Sequence, residues 1–194
     1  MTDHFALLNE PRRPWLDPNL LKAKFLERSA QLHPDRVHGA SEEERRSVNQ
    51  RFLELNSAYN CLRDPKCRLR HLLELESGAK PKEVQEIPAE TMELFLETGQ
   101  LCRQVDAFLT ERAQVASALL KVKMFERTQE WTDKLNAMLR AINGKLARLD
   151  EELKEMNSAS GPLPLQRLEG VYRDFSYLAR WAAQFQERVA QLSF

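Results

Sequence analysis

The sequence predicts an all-α fold, a helical hairpin followed by an antiparallel three-helix bundle, and three observations carry that reading. Glycine is scarce, with 6 in 194 residues, so most stretches lack an interior residue that weakens a helix. Apolar residues recur at steps of three and four in each patterned segment, which is the period of one buried helix face. Turn signals fall mainly between those segments, at Pro34, Gly39, Asp64-Pro65, Pro81, Pro88 and Gly161-Pro162.

The first helix opens at Asp17-Pro18, where Asp caps free amides and Pro occupies a first-turn site that needs no donor. It runs from about Pro18 to Leu32, with Leu21, Phe25 and Leu32 as its buried stripe. Lys24 and Arg28 lie one turn apart beside that stripe, on the exposed side, and Lys22 lies on the other flank. Pro34 pushes the residue before it out of helical geometry, so His33-Pro34-Asp35 is a loop.

The second helix starts at a capping box, Ser41 with Glu44. Its apolar face is Val48, Phe52, Leu55, Tyr59 and Leu62, and the short connection folds that face back on the first helix. Asp64-Pro65 breaks the chain, and a short helix from Lys66 to Ser77 carries Leu69, Leu72, Leu73 and Leu75 before Gly78 ends it.

The matched Lys+Arg and Asp+Glu totals, 29 each, leave no net field to draw the whole molecule to nucleic acid or an anionic membrane. No segment is apolar enough to span a bilayer and no leader pattern opens the chain, so the expected compartment is the cytoplasm. Cys61, Cys67 and Cys102 are an odd set without a CxxC pair, which reads as reduced thiols. Cys67 and His71, four apart, could face one metal, but two ligands make no structural zinc site and ordinary helix residues are the stronger reading. His33 as a general base has no nucleophile placed for it by the sequence, so the chain is expected not to be an enzyme.

His33-Pro34-Asp35 followed by Arg36, the Ala58-Tyr59 pair, Leu62, the Asp64-Pro65 break and Arg68 together resemble the J-domain family over about residues 3 to 76. The resemblance implies that Asp35 and the basic face before it dock on a DnaK-type chaperone and promote its ATP hydrolysis. The residue types suit that role. Pro34 fixes the loop backbone, Asp35 offers a carboxylate for a charge-assisted bond, and Lys24, Arg28 and Arg36 supply positive charge for an acidic partner.

From Gly78 to about Ala89 the chain reads as a linker, which divides it into residues 1–77, 78–89 and 90–194. Beyond the linker come three further helices. The first, about Ala89 to Arg112, has Leu94, Leu101, Val105 and Phe108 as its core face and an interior Gly99. The second, about Ala116 to Met156, carries Leu135, Leu139, Ile142, Leu146, Leu149, Leu153 and Met156 in a coiled-coil-like alternation of four and three. The third, about Leu165 to Leu192, repeats it at Leu168, Val171, Phe175, Leu178, Ala182, Phe185, Val189 and Leu192. Three such seams joined by short turns make an antiparallel bundle.

A J-domain, a charged linker and such a bundle in this order resemble the iron–sulfur co-chaperone family HscB, including Asp64-Pro65-Lys66-Cys67-Arg68 leading into Leu72-Leu73-Glu74-Leu75. That resemblance implies that the bundle binds the cluster scaffold IscU and delivers it to the chaperone HscA. It matches Leu94 and Phe95 to the family's apolar pair, Asp106 to an acidic position and Tyr177 to an aromatic one; Thr98, Gly99 and Cys102 depart from the family's leucine or glutamate. Periodicity leaves open whether Phe95 and Tyr177 are exposed or buried. The family's longer animal-type members carry a cysteine-rich metal element that has no counterpart in this sequence, so no metal, cluster or other cofactor is expected on the chain. The alternative is a general J-domain co-chaperone whose bundle binds a different client.

Overall fold

The computed structural model describes residues 2–32, 41–81, 89–115, 117–159 and 161–193. Its described elements are helices: α1 (His4–Leu7), α2 (Pro18–Gln31), α3 (Glu42–Arg63), α4 (Pro65–Ser77), α5 (Ala89–Ala113), α6 (Ala118–Ser158) and α7 (Leu165–Ser193). The all-α expectation therefore holds among the described residues, and apart from α1 each helix starts and stops within a residue or two of the place its sequence signals set.

The caps explain that agreement. The Asp17 carboxylate accepts from the backbone N–H groups of Asn19 and Leu20, and Pro18 takes the first position of α2. Ser41 and Glu44 close a reciprocal capping box on α3. Asp64 ends α3 in extended geometry and caps α4, accepting from Cys67 N–H at 2.6 Å. Gly78, at φ 71, ends α4 in the left-handed conformation that a side chain would strain. The short α1 had no signal in the periodic pattern, because four residues are barely one turn. It is made by Asp3 capping Phe5 and Ala6 and is stopped by Asn9, at φ 52.

The chain forms two compact units that do not follow chain order: residues 1–82 join with 150–172, and residues 83–149 join with 173–194. The division at 78–89 drawn from the linker thus leaves out a second crossing, where the end of α6 and the start of α7 enter the first unit.

In the first unit α3 is the hub, with α1, α2 and α4 all packed on it. Phe25 of α2 stacks on Tyr59 of α3 with ring centroids 4.2 Å apart. Phe5, Leu8, Leu21, Leu55, Leu62, Leu69 and Leu72 are buried, as are Leu153 of α6 and Leu168 and Val171 of α7. Polar ties reinforce this core. The buried Arg68 donates to the carbonyls of Pro14 (2.8 Å) and Leu62 (2.7 Å). Burial pulls its pKa below the ordinary value, while Asp150 and Asp64 act in the opposite direction. Trp15 is gripped by Asn157, which accepts its backbone N–H and donates to its carbonyl at 2.7 Å. The Trp15 indole donates to Asp150 at 3.1 Å, and the Lys154 ammonium lies over its ring.

In the second unit α5, α6 and α7 share one apolar core, with Val105, Phe108, Leu135, Ile142, Leu178, Trp181 and Phe185 among its buried members. Cross-helix pairs fix the directions. Phe95–Trp181, Asp106–Arg188 and Arg112–Leu192 climb together, so α5 and α7 run parallel. Glu111–Arg127 and Phe108–Trp131 run in opposite order, so α6 is antiparallel to α5. The up-down-up order is what short turns between three seams require.

Candidate functional site

His33, Pro34, Asp35 and Arg36 lie outside the described residues, and so does most of the linker. What the structure describes is the helix on either side of that segment. The flanking helices α2 and α3 are in contact, which brings the two ends of the intervening segment onto one helix pair.

Lys24 and Arg28 are placed differently from the open, partner-facing positions the sequence suggested. Lys24 Nζ pairs with Glu10 Oε1 at 2.9 Å and donates to the Asn9 carbonyl at 3.0 Å. Arg28 Nη1 donates to the carbonyl of Leu7 at 2.8 Å. Both cations are thus turned toward the C-terminal end of α1, where free carbonyls and the negative end of the helix attract them. Lys22 is the exposed cation of α2.

On α5 the candidate residues separate by face. Leu94 is 8% exposed and belongs to the core of the second unit, so it offers little surface to a partner. Phe95 is 39% exposed, with Met92 and Leu96 exposed beside it. Tyr177 is buried, its ring stacked on Trp181 at 5.7 Å, and Phe95 leans on the same indole at 6.1 Å. The apolar surface is therefore Met92, Phe95 and Leu96, backed by Trp181 and Tyr177 from α7. Met92 and Leu96 were missed, although their i, i+4 spacing, two positions before Leu94 and Thr98 and so on the face away from that core stripe, was a readable signal.

Asp106 is exposed and held by a two-pronged pair with Arg188, at 2.9 and 2.7 Å. The pair keeps the Arg188 pKa above its ordinary value, the hydrogen bond to Asp106 being the largest cause. Thr98 is 2% exposed and its hydroxyl has no hydrogen-bond partner, so it serves the core side of α5.

Among the described residues no three His, Cys, Asp or Glu side chains gather as a metal site. Cys67 and His71 instead line one open cavity with Cys61 and His4. His71 Nε2 accepts the backbone N–H of His4 at 3.1 Å, and the two rings lie 4.3 Å apart. Burial holds both imidazoles below their ordinary pKa, and the neighbouring His4 adds to the effect at His71. No helix among the described residues is long and apolar enough to cross a membrane.

No family model matches the chain. A co-chaperone protein HscB homolog of Bordetella pertussis is 44% identical over 72 residues, which is 37% of this chain and 42% of that protein. One of Paraburkholderia phymatum is 35% identical over 112 residues, 54% of this chain and 63% of that protein. The aligned stretch thus spans well under two thirds of the first relative. Chaperone HscB from Vibrio cholerae has the same fold, with a TM-score of 0.63 at 24% identity over 98% of this chain and 99% of that one. Human co-chaperone HscB superposes with a TM-score of 0.63 at 15% identity, over 96% of this chain and 82% of that one. These likenesses set the chain beside co-chaperones of the J-domain type. Within that class the likeness is to HscB, in sequence over part of the chain and in fold over nearly all of it.

Proposed function

We propose that the chain is a co-chaperone of iron–sulfur cluster assembly. It stimulates ATP hydrolysis by a DnaK- or HscA-type chaperone through the His33-Pro34-Asp35-Arg36 loop, and it brings that chaperone an IscU-type scaffold bound to α5. The observation that carries the reading is the pairing, in one chain, of that tripeptide between the packed helices α2 and α3 with an exposed apolar patch on α5.

Asp35 supplies a carboxylate for a partner cation, and Lys22 and Arg36 supply long-range attraction to an acidic surface. Lys24 and Arg28 act one step back, holding the end of α1 against α2. On α5, Phe95 is the anchor, with Met92 and Leu96 widening the apolar contact and Asp106 at its rim. Bond breaking stays with the partner chaperone, so the chain is not itself an enzyme. The reading places it in the cytoplasm, with neither nucleic acid nor membrane as partner and no cofactor of its own.

The test is ATP turnover by the organism's DnaK-type chaperones with the protein added, with and without the scaffold. Stimulation is expected to vanish in Asp35→Asn. The scaffold is expected to raise it further with one dedicated chaperone, and Phe95→Ala is expected to remove only that increment. Asp35-dependent stimulation that ignores the scaffold leaves a general co-chaperone with a different client. No stimulation by the wild-type protein overturns both readings.

A further inference from the structure

At the junction of α3 and α4 two thiols come together. Cys61 stands in the last turn of α3 and Cys67 in the first turn of α4, either side of the shared cap Asp64. The Cys61 thiol is near enough to Cys67 for that neighbour to raise its pKa. Arg70 Nη2 donates to Cys67 Sγ at 3.5 Å. Both cysteines are only partly buried, and both line the open cavity of about 650 Å³ that also holds His4, His71 and Glu74. A small oxidant therefore reaches them from solvent. Cys102 contrasts with both, buried in the apolar core of the second unit.

We propose that Cys61 and Cys67 are a peroxide-sensitive dithiol, closing reversibly to a disulfide that staples the end of α3 to the start of α4. Cys67, as thiolate, attacks one oxygen of hydrogen peroxide. The O–O bond breaks, Cys67 becomes a sulfenic acid, and the hydroxide that leaves takes up a proton as water. Cys61 then attacks the sulfenic sulfur. The S–S bond forms, the S–O bond breaks, and the departing hydroxyl carries away the Cys61 proton as a second water. Two thiols and one peroxide thus give one disulfide and two waters, with two electrons passing from sulfur to oxygen.

The surroundings assign the roles. Burial, and then the neighbouring Cys67, push the Cys61 thiol up to about 12, so Cys61 is the partner that keeps its proton. Cys67, contacted by Arg70, is the sulfur that attacks first. Only five residues separate the two cysteines. Closing so short a loop restricts the unfolded chain little, which suits a bond that forms and breaks rather than a structural staple.

The test treats the full chain with stoichiometric hydrogen peroxide and follows it by intact mass and by peptide mapping without reductant. The expected result is loss of two hydrogens, a Cys61–Cys67 cross-link, Cys102 still a free thiol, and all three thiols restored by dithiothreitol. In Cys61→Ser the reaction is expected to stop at Cys67 as a sulfenic acid that dimedone traps, and in Cys67→Ser no dimedone adduct forms at Cys61. An unchanged mass, a sulfinic acid at Cys67 without a cross-link, or a cross-link through Cys102 would each overturn the proposal, and the wild-type result decides it even if a variant misfolds.

Discussion

The two units of this chain are both built from helices, yet different forces hold them. The second is an apolar seam in which Phe185, Leu135 and Ile142 reach zero exposure and the ion pairs sit at its rim. The first also has an apolar core, but fixes its loops with buried and half-buried polar bonds: Arg68 on two carbonyls, Asn157 on the backbone of Trp15, His71 on the amide of His4. Regular helix-on-helix packing is enough where three long helices share a seam. A short helix and a proline-bounded loop have no periodic face to bury, so directional bonds must place them.

The sharpest way to break that contrast is to delete one anchor from each unit. Phe185→Ala removes a fully buried ring and is expected to cost roughly 4 kcal/mol, read as the shift of the urea unfolding midpoint. Arg68→Ala orphans two buried carbonyls and is expected to cost about 3 kcal/mol. Arg68→Lys should recover only part of that loss, because one ammonium does not reproduce the guanidinium's fork. If Arg68→Ala proves nearly neutral, the first unit does not depend on its polar ties. A smaller effect, about 1 kcal/mol, is expected for Trp15→Phe, which keeps an aromatic ring and deletes the indole N–H bond to Asp150.

The smallest effect sharpens the comparison through pH. Both His4 and His71 titrate below their ordinary value of 6.5 in the folded chain. Their contribution to stability is therefore complete above that value and is lost as pH falls through 6.5 toward the lower folded pKa. Asp3 and Glu74 soften the loss at His71, and Arg12 adds to it. Urea midpoints for the wild type should fall between about pH 7.5 and about pH 5.5, and His71→Gln, which keeps an acceptor but cannot titrate, should flatten that slope. An equal slope in the variant would remove His71 from the account.

Which parts were legible in the sequence follows the same divide. The seams of α6 and α7 were readable because apolar periodicity reports burial directly, and Asp17, Ser41, Asp64 and Gly78 were readable because capping is local chemistry. Arg68 was noticed only as a family match, since a charged residue in a helix gives no sign that two distant carbonyls await it. The Trp15 clasp joins residues 142 positions apart and has no local signature at all. On α5 periodicity set Leu94 in the core face, where it lies; the partner-facing role the family resemblance gave it is the part that does not hold. Lys24 and Arg28 were read as outward because their partners, Leu7, Asn9 and Glu10, lie at the end of α1 and just beyond it, a helix too short to be foreseen.

The first unit is assembled from two stretches of chain, residues 1–82 and 150–172. A ribosome makes them in that order, with the whole of α5 and most of α6 emerging in between. Trp15 thus waits for Asn157 while some 140 further residues are synthesised, roughly 7 to 28 seconds at ordinary elongation rates. During that interval α1 to α4 stand without their last partners, so the nascent chain completes its first unit only once residue 172 has emerged.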